Sequence, residues 1–354
     1  MILLPNSLTS EVAAQDDLVR RTLMARETEE TPAVVDHQLR ANAAALAELA
    51  ARLRRDPPSV VVTCARGSSD HAATYGKYLI ETLLGVPVAS AAPSVSSLYD
   101  SPVQARGALV VAISQSGRSP DLLATVDAYR TAGAHVVALV NDAESPLAQA
   151  ADTLLPLFAG PELAVAATKS CIAAMAGLSA IAAAWSGDEA IRKALKKLPQ
   201  MLEQALTLDW SAAVDVLRPA KQMFVLGRGY SFGIAQEAAL KLKETCAIQA
   251  EPFSSAEVRH GPMRVIDKGF PVLAFATSDM AGADVASTAR EFGQWGAVPL
   301  VAGQSGTLPI ITGHPALEPI AMLTSFYRLA EQLSHELGMN PDAPPGLAKV
   351  TKTR

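Results

Sequence analysis

Charge of either sign is sparse in this chain, and aromatic side chains are sparser. Charged residues make up 18% and aromatics 5%, and 35 acids against 30 bases leave a formal net charge of −5. A chain-wide binder of nucleic acid or anionic membrane carries the opposite balance, so neither partner is expected. Cysteine is scarce as well. Cys64, Cys171 and Cys246 stand far apart and are odd in number. That spacing gives no disulfide framework and no CxxC metal knuckle, and it fits a reducing compartment. Long hydrophobic runs are missing. The opening MILLPNSLTS has too short an apolar run for a signal peptide and lacks a basic start. The longest apolar stretch, 171–185, falls short of the roughly 18 residues that a membrane span needs. Its Ala and Gly content predicts a helix packed tightly inside the protein. A cytoplasmic protein without a membrane partner is the expectation.

What the chain does have is apolar material, 49% of its residues, which suffices for a core and excludes disorder as the main state. Its 354 residues suggest two domains at about 150 residues each. Unbroken, largely β-branched runs at 60–63, 108–113 and 135–140 read as strands buried on both faces. Helix-compatible segments at 70–84 and 120–132 alternate with them, which predicts an α/β fold with a parallel sheet between helices. The pattern then recurs. Residues 223–229 resemble 61–67, and 269–275 follow 107–113 at nearly the same offset. Residues 297–301 follow 134–138 one residue out of step. Three strands repeating in order predict an internal duplication, with a helical, Lys-bearing linker at 186–210. The expected segments are 1–45 (helical opening), 46–195 (first unit), 210–340 (second unit) and 341–354 (tail).

Ligands of open parallel sheets bind beyond the carboxyl ends of the strands. There the first unit has Arg66-Gly67-Ser68-Ser69 and Ser114-Gln115-Ser116-Gly117-Arg118-Ser119, rich in hydroxyls and free of carboxylate. The second unit has Arg228-Gly229-Tyr230-Ser231 and Thr277-Ser278-Asp279-Met280, with Asp279 where Gly117 stood. An acid repels phosphate, so only the first unit looks built for an anion. Backbone N–H groups at a helix start, with several hydroxyls, make a phosphate site without obligatory cations. The same loop also reads as a plain capped turn, with Ser119 at the N-cap and Pro120 in the first helical turn. Glu237, Lys241 and Glu244 recur at helical spacing on one face. They are either a solvated ion-pair ladder or a carboxylate proton carrier, Glu244, held by Lys241. His260 sits in the turn Arg259-His260-Gly261-Pro262 and titrates near neutrality. His37, His71, His135, His314 and His335 show no ligand spacing, so no metal is expected, and no cofactor either.

The stretches 66–69, 113–117 (ISQSG) and 160–169 (GPELAVAATK) resemble the SIS (sugar isomerase) domain. More closely they resemble the isomerase half of glucosamine-6-phosphate synthase and the SIS-type glucosamine-6-phosphate deaminases. So do 226–229 (LGRG), 237–244 (EAALKLKE), 257–262 (EVRHGP), 345–349 (PGLAK) and the opening 24–32 (MARETEETP). The resemblance implies two tandem units, each a doubly wound, flavodoxin-like parallel sheet, with an active-site tail. It implies that Ser69, Ser114, Gln115, Ser116 and Ser119 hold a sugar phosphate, with Ser68 where the synthases have Thr. It implies that Val165 and Ala167 line the sugar, although the synthases have Ser at the latter position. Glu244 then carries the proton between adjacent carbons, beside Lys241. His260 opens the ring, reaching the partner's site in a homodimer. Lys349 matches a lysine that forms a Schiff base with the ketose, although Pro345 replaces an Arg nearby. Read without the resemblance, Lys349 is one cation of a basic tail.

A synthase draws ammonia from glutamine through an N-terminal cysteine in a separate domain. No cysteine precedes Cys64 here, so the expected reaction is the reverse. Glucosamine 6-phosphate is opened, isomerised and hydrolysed to fructose 6-phosphate and ammonia. Three alternatives stand beside it: another sugar-phosphate aldose/ketose isomerase or deglycase, an aminotransferase-like isomerase lacking the glutaminase domain, and a sugar-phosphate-sensing module.

Overall fold

A computed structural model describes residues 21–349. The opening 1–20 and the closing 350–354, which include Lys352 and Arg354, lie outside the described residues. Two parallel sheets form the frame. The first comprises β1 (Val60–Cys64), β2 (Val88–Ser90), β3 (Ala108–Ser114), β4 (His135–Val140) and β5 (Thr153–Pro156), in the order β2-β1-β3-β4-β5. The second comprises β6 (Gln222–Gly227), β7 (Gln249–Ser254), β8 (Pro271–Phe275) and β9 (Val298–Ala302), in the order β7-β6-β8-β9. The second order repeats the first with its last strand missing. A single parallel bridge from Ala302 to Leu308 marks the place of that strand. The repeat expected from 60–63, 108–113 and 135–140 is therefore a repeat of topology. The short strands β2 and β5, and β7 with its polar Gln249, Glu251 and Ser254, carried too few apolar residues to stand out in the sequence.

Alternate residues of the central strands enter different cores, as buried parallel strands must. Val61, Leu109, Val111, Val137 and Leu139 face the interior shared by both units. Val62, Val110, Ala112, Val136 and Val140 face the opposite side, under helix Pro120–Thr131. The shared core also holds Val225 and Leu273 of the second sheet and most of helix Lys169–Ser186. By length and composition that helix is apolar enough to cross a membrane, yet 89% of it is buried inside the protein. This fits the interior helix that 171–185 predicts.

The stretch 186–210, expected to be helical, holds helices Glu189–Leu195 and Leu198–Ala205, which bury Leu198, Met201, Leu202 and Ala205 in the shared core. The expected boundary at 45/46 falls inside helix Ala43–Arg55, because Leu46, Leu49 and Leu53 of that helix also join this core.

Candidate functional site

In the first sheet the chain leaves β1 and β3, neighbouring strands, towards opposite faces. Helix Ser68–Leu84 packs on the shared core and helix Pro120–Thr131 on the other side. The strand order reverses between these strands, which opens a crevice at their carboxyl ends. Both hydroxyl-rich loops lie there. Helix Ser68–Leu84 begins two residues before the 70–84 expected, so Ser68 and Ser69 occupy its first turn, behind Gly67 at the N-cap. After β3, the Gly117 N–H donates to Ser114 Oγ at 2.9 Å. Gly117 has φ +63°, and a Cβ there would lie 2.3 Å from Ser145 Oγ and 2.9 Å from Val140 Cγ2. Only glycine keeps this turn tight. Ser119 stands at the N-cap of helix Pro120–Thr131 but makes no capping hydrogen bond. Among the described residues its hydroxyl, that of Ser69 and the Gln115 amide have no hydrogen-bonding partner. The loop cations are already engaged: Arg66 with buried Asp121 at 2.7 Å and Arg118 with Asp142 at 2.7 Å. Any anion here would meet hydroxyls and N–H groups first.

The matching corner of the second unit is filled by acids. Asp279 accepts from the Gly282 N–H at 2.9 Å and from Thr277 Oγ1 at 2.7 Å. Fully buried Glu318 accepts from the Ser278 N–H and Oγ, each at 2.7 Å. The donors an anion would need are occupied by the chain's own carboxylates.

Helix Phe232–Cys246 brings the second unit to the crevice. Glu237, Lys241 and Glu244 share a face as the spacing predicts, but the first two are buried. Lys241 Nζ donates to Glu244 Oε2 at 2.6 Å and to Ser68 Oγ at 3.1 Å, and it lies 3.3 Å from Glu237 Oε1. A solvated ladder is thereby excluded. Glu237 also accepts from Tyr327 Oη at 3.0 Å through Oε1, and its Oε2 lies 2.8 Å from His71 Nδ1. Burial works against charge on Glu237, but Lys241 and His71 outweigh it and hold the carboxyl below the usual range. Burial likewise works against charge on Lys241, but Glu237 and Glu244 outweigh it and raise the ammonium above the usual lysine range. Lys241 is thus a fixed cation. Glu244 is the member of this cluster that keeps substantial exposure among the carboxylates, 23% against 1% for Glu237.

The loop before helix Lys169–Ser186 and the tail form a third wall. Val165 and Ala167 are half-buried there, between buried Ala164, Ala166 and Thr168. Buried Glu162 accepts from the N–H groups of Thr168 and Ser170, both at 3.0 Å, and from Ser170 Oγ at 2.7 Å. Lys349 Nζ lies 3.1 Å from Glu162 Oε2 and donates to the Ala164 carbonyl at 2.7 Å. Burial works against charge on Glu162, but Lys349 and Ser170 outweigh it and hold its carboxyl below the usual range. Lys349 is therefore a docked residue and not a free tail cation. Asp342 anchors the same tail, accepting from the Leu23 and Met24 N–H groups at 2.8 Å each and, at its carbonyl, from the Val165 N–H at 3.0 Å.

His260 stands apart. It is exposed in the turn after β7, and no hydrogen bond or ion pair joins it to the cluster within one chain. His71, read in the sequence as an ordinary histidine, is in the cluster instead. A signal was present: it lies one helical turn after Ser68. Tyr327 carried no local signal, since its partner Glu237 lies far along the chain, and Glu162, inside the stretch 160–169, did not stand out because its cation Lys349 is distant. The three cysteines are buried and unpaired; burial pushes the Cys64 thiol up to about 12 and that of Cys246 to about 11, which leaves neither a ready nucleophile.

The SIS domain family model matches residues 57–184 and 216–301. The chain belongs to the SIS domain family. Among curated relatives, glutamine–fructose-6-phosphate aminotransferase [isomerizing] of Symbiobacterium thermophilum is 32% identical over 322 residues, 85% of this chain and 52% of that protein. The protein of the same name from Aquifex aeolicus is 30% identical over 340 residues, 92% of this chain and 57% of that protein. This SIS chain thus spans about half the length of the curated relatives it matches. Among solved structures, one from Silicibacter pomeroyi DSS-3, assigned as a phosphosugar isomerase, has a TM-score of 0.87 at 42% identity, covering 91% of this chain and 100% of that one. The glucosamine-6-phosphate deaminase of Thermotoga maritima shares the fold, with a TM-score of 0.77 at 22% identity, covering 94% of this chain and 100% of its own.

Proposed function

We propose that this SIS protein is a phosphosugar isomerase that converts glucosamine 6-phosphate to fructose 6-phosphate and ammonia. The observation that carries the reading is the Lys241 ammonium, which joins Ser68 at the hydroxyl-rich crevice to the partly exposed carboxylate of Glu244. In this reading the phosphate sits on Ser69, Ser114, Gln115, Ser116 and Ser119, and Val165 and Ala167 line the carbon chain. A dianion on hydroxyls and a helix start needs no metal. His260, from the partner subunit of a homodimer, gives a proton to the ring oxygen and the sugar opens to the aldehyde. Glu244 removes the C2 proton and returns it to C1, leaving a C1 alcohol and a C2 imine. Lys241 offsets the charge that develops on the enol oxygen. Water adds to the imine carbon, and the C–N bond breaks to release ammonia and leave the C2 ketone. Lys349, held beside Ala164, is the amine available for a Schiff base with the ketose.

The 30–32% identity to the isomerizing aminotransferases favours a second reading, the same proton transfer run towards the amino sugar. One experiment separates the outcomes. Incubation with glucosamine 6-phosphate is expected to release ammonia and fructose 6-phosphate in equal amounts. Glu244→Gln is expected to lower kcat by about 10²–10⁴-fold with substrate affinity little changed. Amino-sugar formation from fructose 6-phosphate and ammonium, without measurable release, would favour the second reading. Binding without turnover in either direction would make the chain a sensor, and turnover of some other sugar phosphate alone would make it a different isomerase.

A further inference from the structure

Lys241 is one ammonium between two carboxylates, and its position decides how much positive charge Glu244 meets. It lies 2.6 Å from Glu244 and 3.3 Å from Glu237. Glu237 is almost completely buried, so unless other donors satisfied it, it would draw the ammonium to itself. Two donors do satisfy it: Tyr327 at Oε1 (3.0 Å) and His71 at Oε2 (2.8 Å). Because Glu237 is ionised, the shared proton belongs to His71 Nδ1. His71 lies on the helix that begins with Ser68 and Ser69, so the link also crosses from the first unit to the second. The crossing is close. A Cβ on Gly233 would lie 2.6 Å from the His71 carbonyl oxygen and 2.8 Å from the Tyr75 nitrogen. That glycine stands one helical turn before Glu237.

We infer that His71, acting through Glu237, is a positioning residue that holds Lys241 against Glu244. The inference rests on the reading of Glu244 as the proton carrier. His71 touches neither the hydroxyl-rich loop after β3 nor the tail loop, so its loss leaves the phosphate contacts in place. The effect is expected on proton transfer and not on binding.

Two measurements test this. In kinetics with glucosamine 6-phosphate, His71→Ala is expected to lower kcat by about tenfold or more with KM within about twofold. His71→Asn, whose amide N–H still reaches a carboxylate, is expected to recover kcat to within about threefold of wild type. A kcat for His71→Ala close to wild type, or a loss that Asn fails to rescue, would overturn the inference. The second measurement needs no turnover. Urea unfolding of His71→Ala, Glu244→Gln and the double variant is expected to depart from additivity by about fivefold in the unfolding constant. These side chains have no direct contact, so coupling must pass through Glu237 and Lys241. Additive effects would overturn the inference even if the enzyme turns over sugar phosphates. Absence of turnover in wild type would instead sink the reaction, while the unfolding cycle still decides the coupling. Should His71→Ala fail to fold, the same cycle is run with His71→Ser, whose side chain is too short to reach Glu237; the same departure from additivity is expected, and additive effects again overturn the inference.

Discussion

Ser119 distinguishes a helix cap from a ligand group by a simple test. An N-cap serine that bonds the first turn contributes about 0.5–2 kcal/mol, and its removal lowers stability by that much. Ser119 holds the cap position without making that bond. Ser119→Ala is therefore expected to change unfolding free energy by less than about 0.5 kcal/mol, while KM for the sugar phosphate rises several-fold. A clear loss of thermal stability with unchanged KM would return the residue to a structural role. Glu162 is the reverse case, a buried acid whose bonds are made wholly to the chain. Its carboxyl and that of Glu237 ionise more readily in the folded state than the ordinary 4.5. The native state then binds fewer protons than the unfolded one in the acid range, so their contribution is intact above about pH 4.5 and is lost as pH falls below it. Glu27, which accepts from the Leu163 and Ala164 N–H groups, works in the opposite sense, since burial raises its carboxyl. Thermal melts from pH 7 to pH 3 are expected to show Glu162→Gln less stable than wild type at neutral pH, with a shallower fall on acidification. Parallel curves for the two proteins would contradict this.

At the scale of elements, the decisive contact is between helices Ser68–Leu84 and Phe232–Cys246. Their backbones meet at Gly233, where the nearest atoms to an added Cβ are main-chain atoms of His71 and Tyr75. Main chain in a helix cannot step aside, so Gly233→Ala must push the helices apart, at a cost of about 1–3 kcal/mol. It should also lengthen the His71–Glu237 bond, so kcat is expected to fall with stability. Thermal unfolding and kinetics of that one variant measure both. This pairing also shows where the sequence was legible. The strands at 108–113 and 135–140 could be read because unbroken β-branched runs have few other uses. The face of Glu237, Lys241 and Glu244 could be read because helical spacing is local. The crevice loops could be read because glycine and hydroxyls follow strand ends. What could not be read was set by contacts distant in the chain. No local pattern tells Glu162 of Lys349, 187 residues away, or Tyr327 of Glu237. His71 was passed over because a histidine search by ligand spacing looks for other histidines, whereas its partner is a carboxylate on another helix. The stretch 186–210 could be read as helical, but not its burial, because the core it enters is built from segments distant in the chain.

Across the whole molecule, one core serves both units, and the tail returns to close it. Asp342 caps helix Leu23–Glu29 and holds the loop of Val165, tying that helix and the segment around Asp342 to the third wall of the crevice. Asp342→Ala is expected to cost about 1–2 kcal/mol, as loss of a helix cap does, and to make the segment after Gly338 cleavable by low protease concentrations while the wild type resists. Equal resistance would show that Lys349 and Glu162 suffice to dock the tail. The acids that fill the second unit's strand-end corner carry a further meaning. Asp279 and Glu318 occupy the donors of their own corner, so that corner has its hydrogen bonds made without any ligand. In the matching corner of the first half the Ser69 and Ser119 hydroxyls and the Gln115 amide have no partner among the described residues and are left for a guest. A guest should thus slow amide exchange in the strand-end loops after β1 and β3 and leave the matching loop at 277–279 unchanged, so that two copies of one shape report differently on the same event.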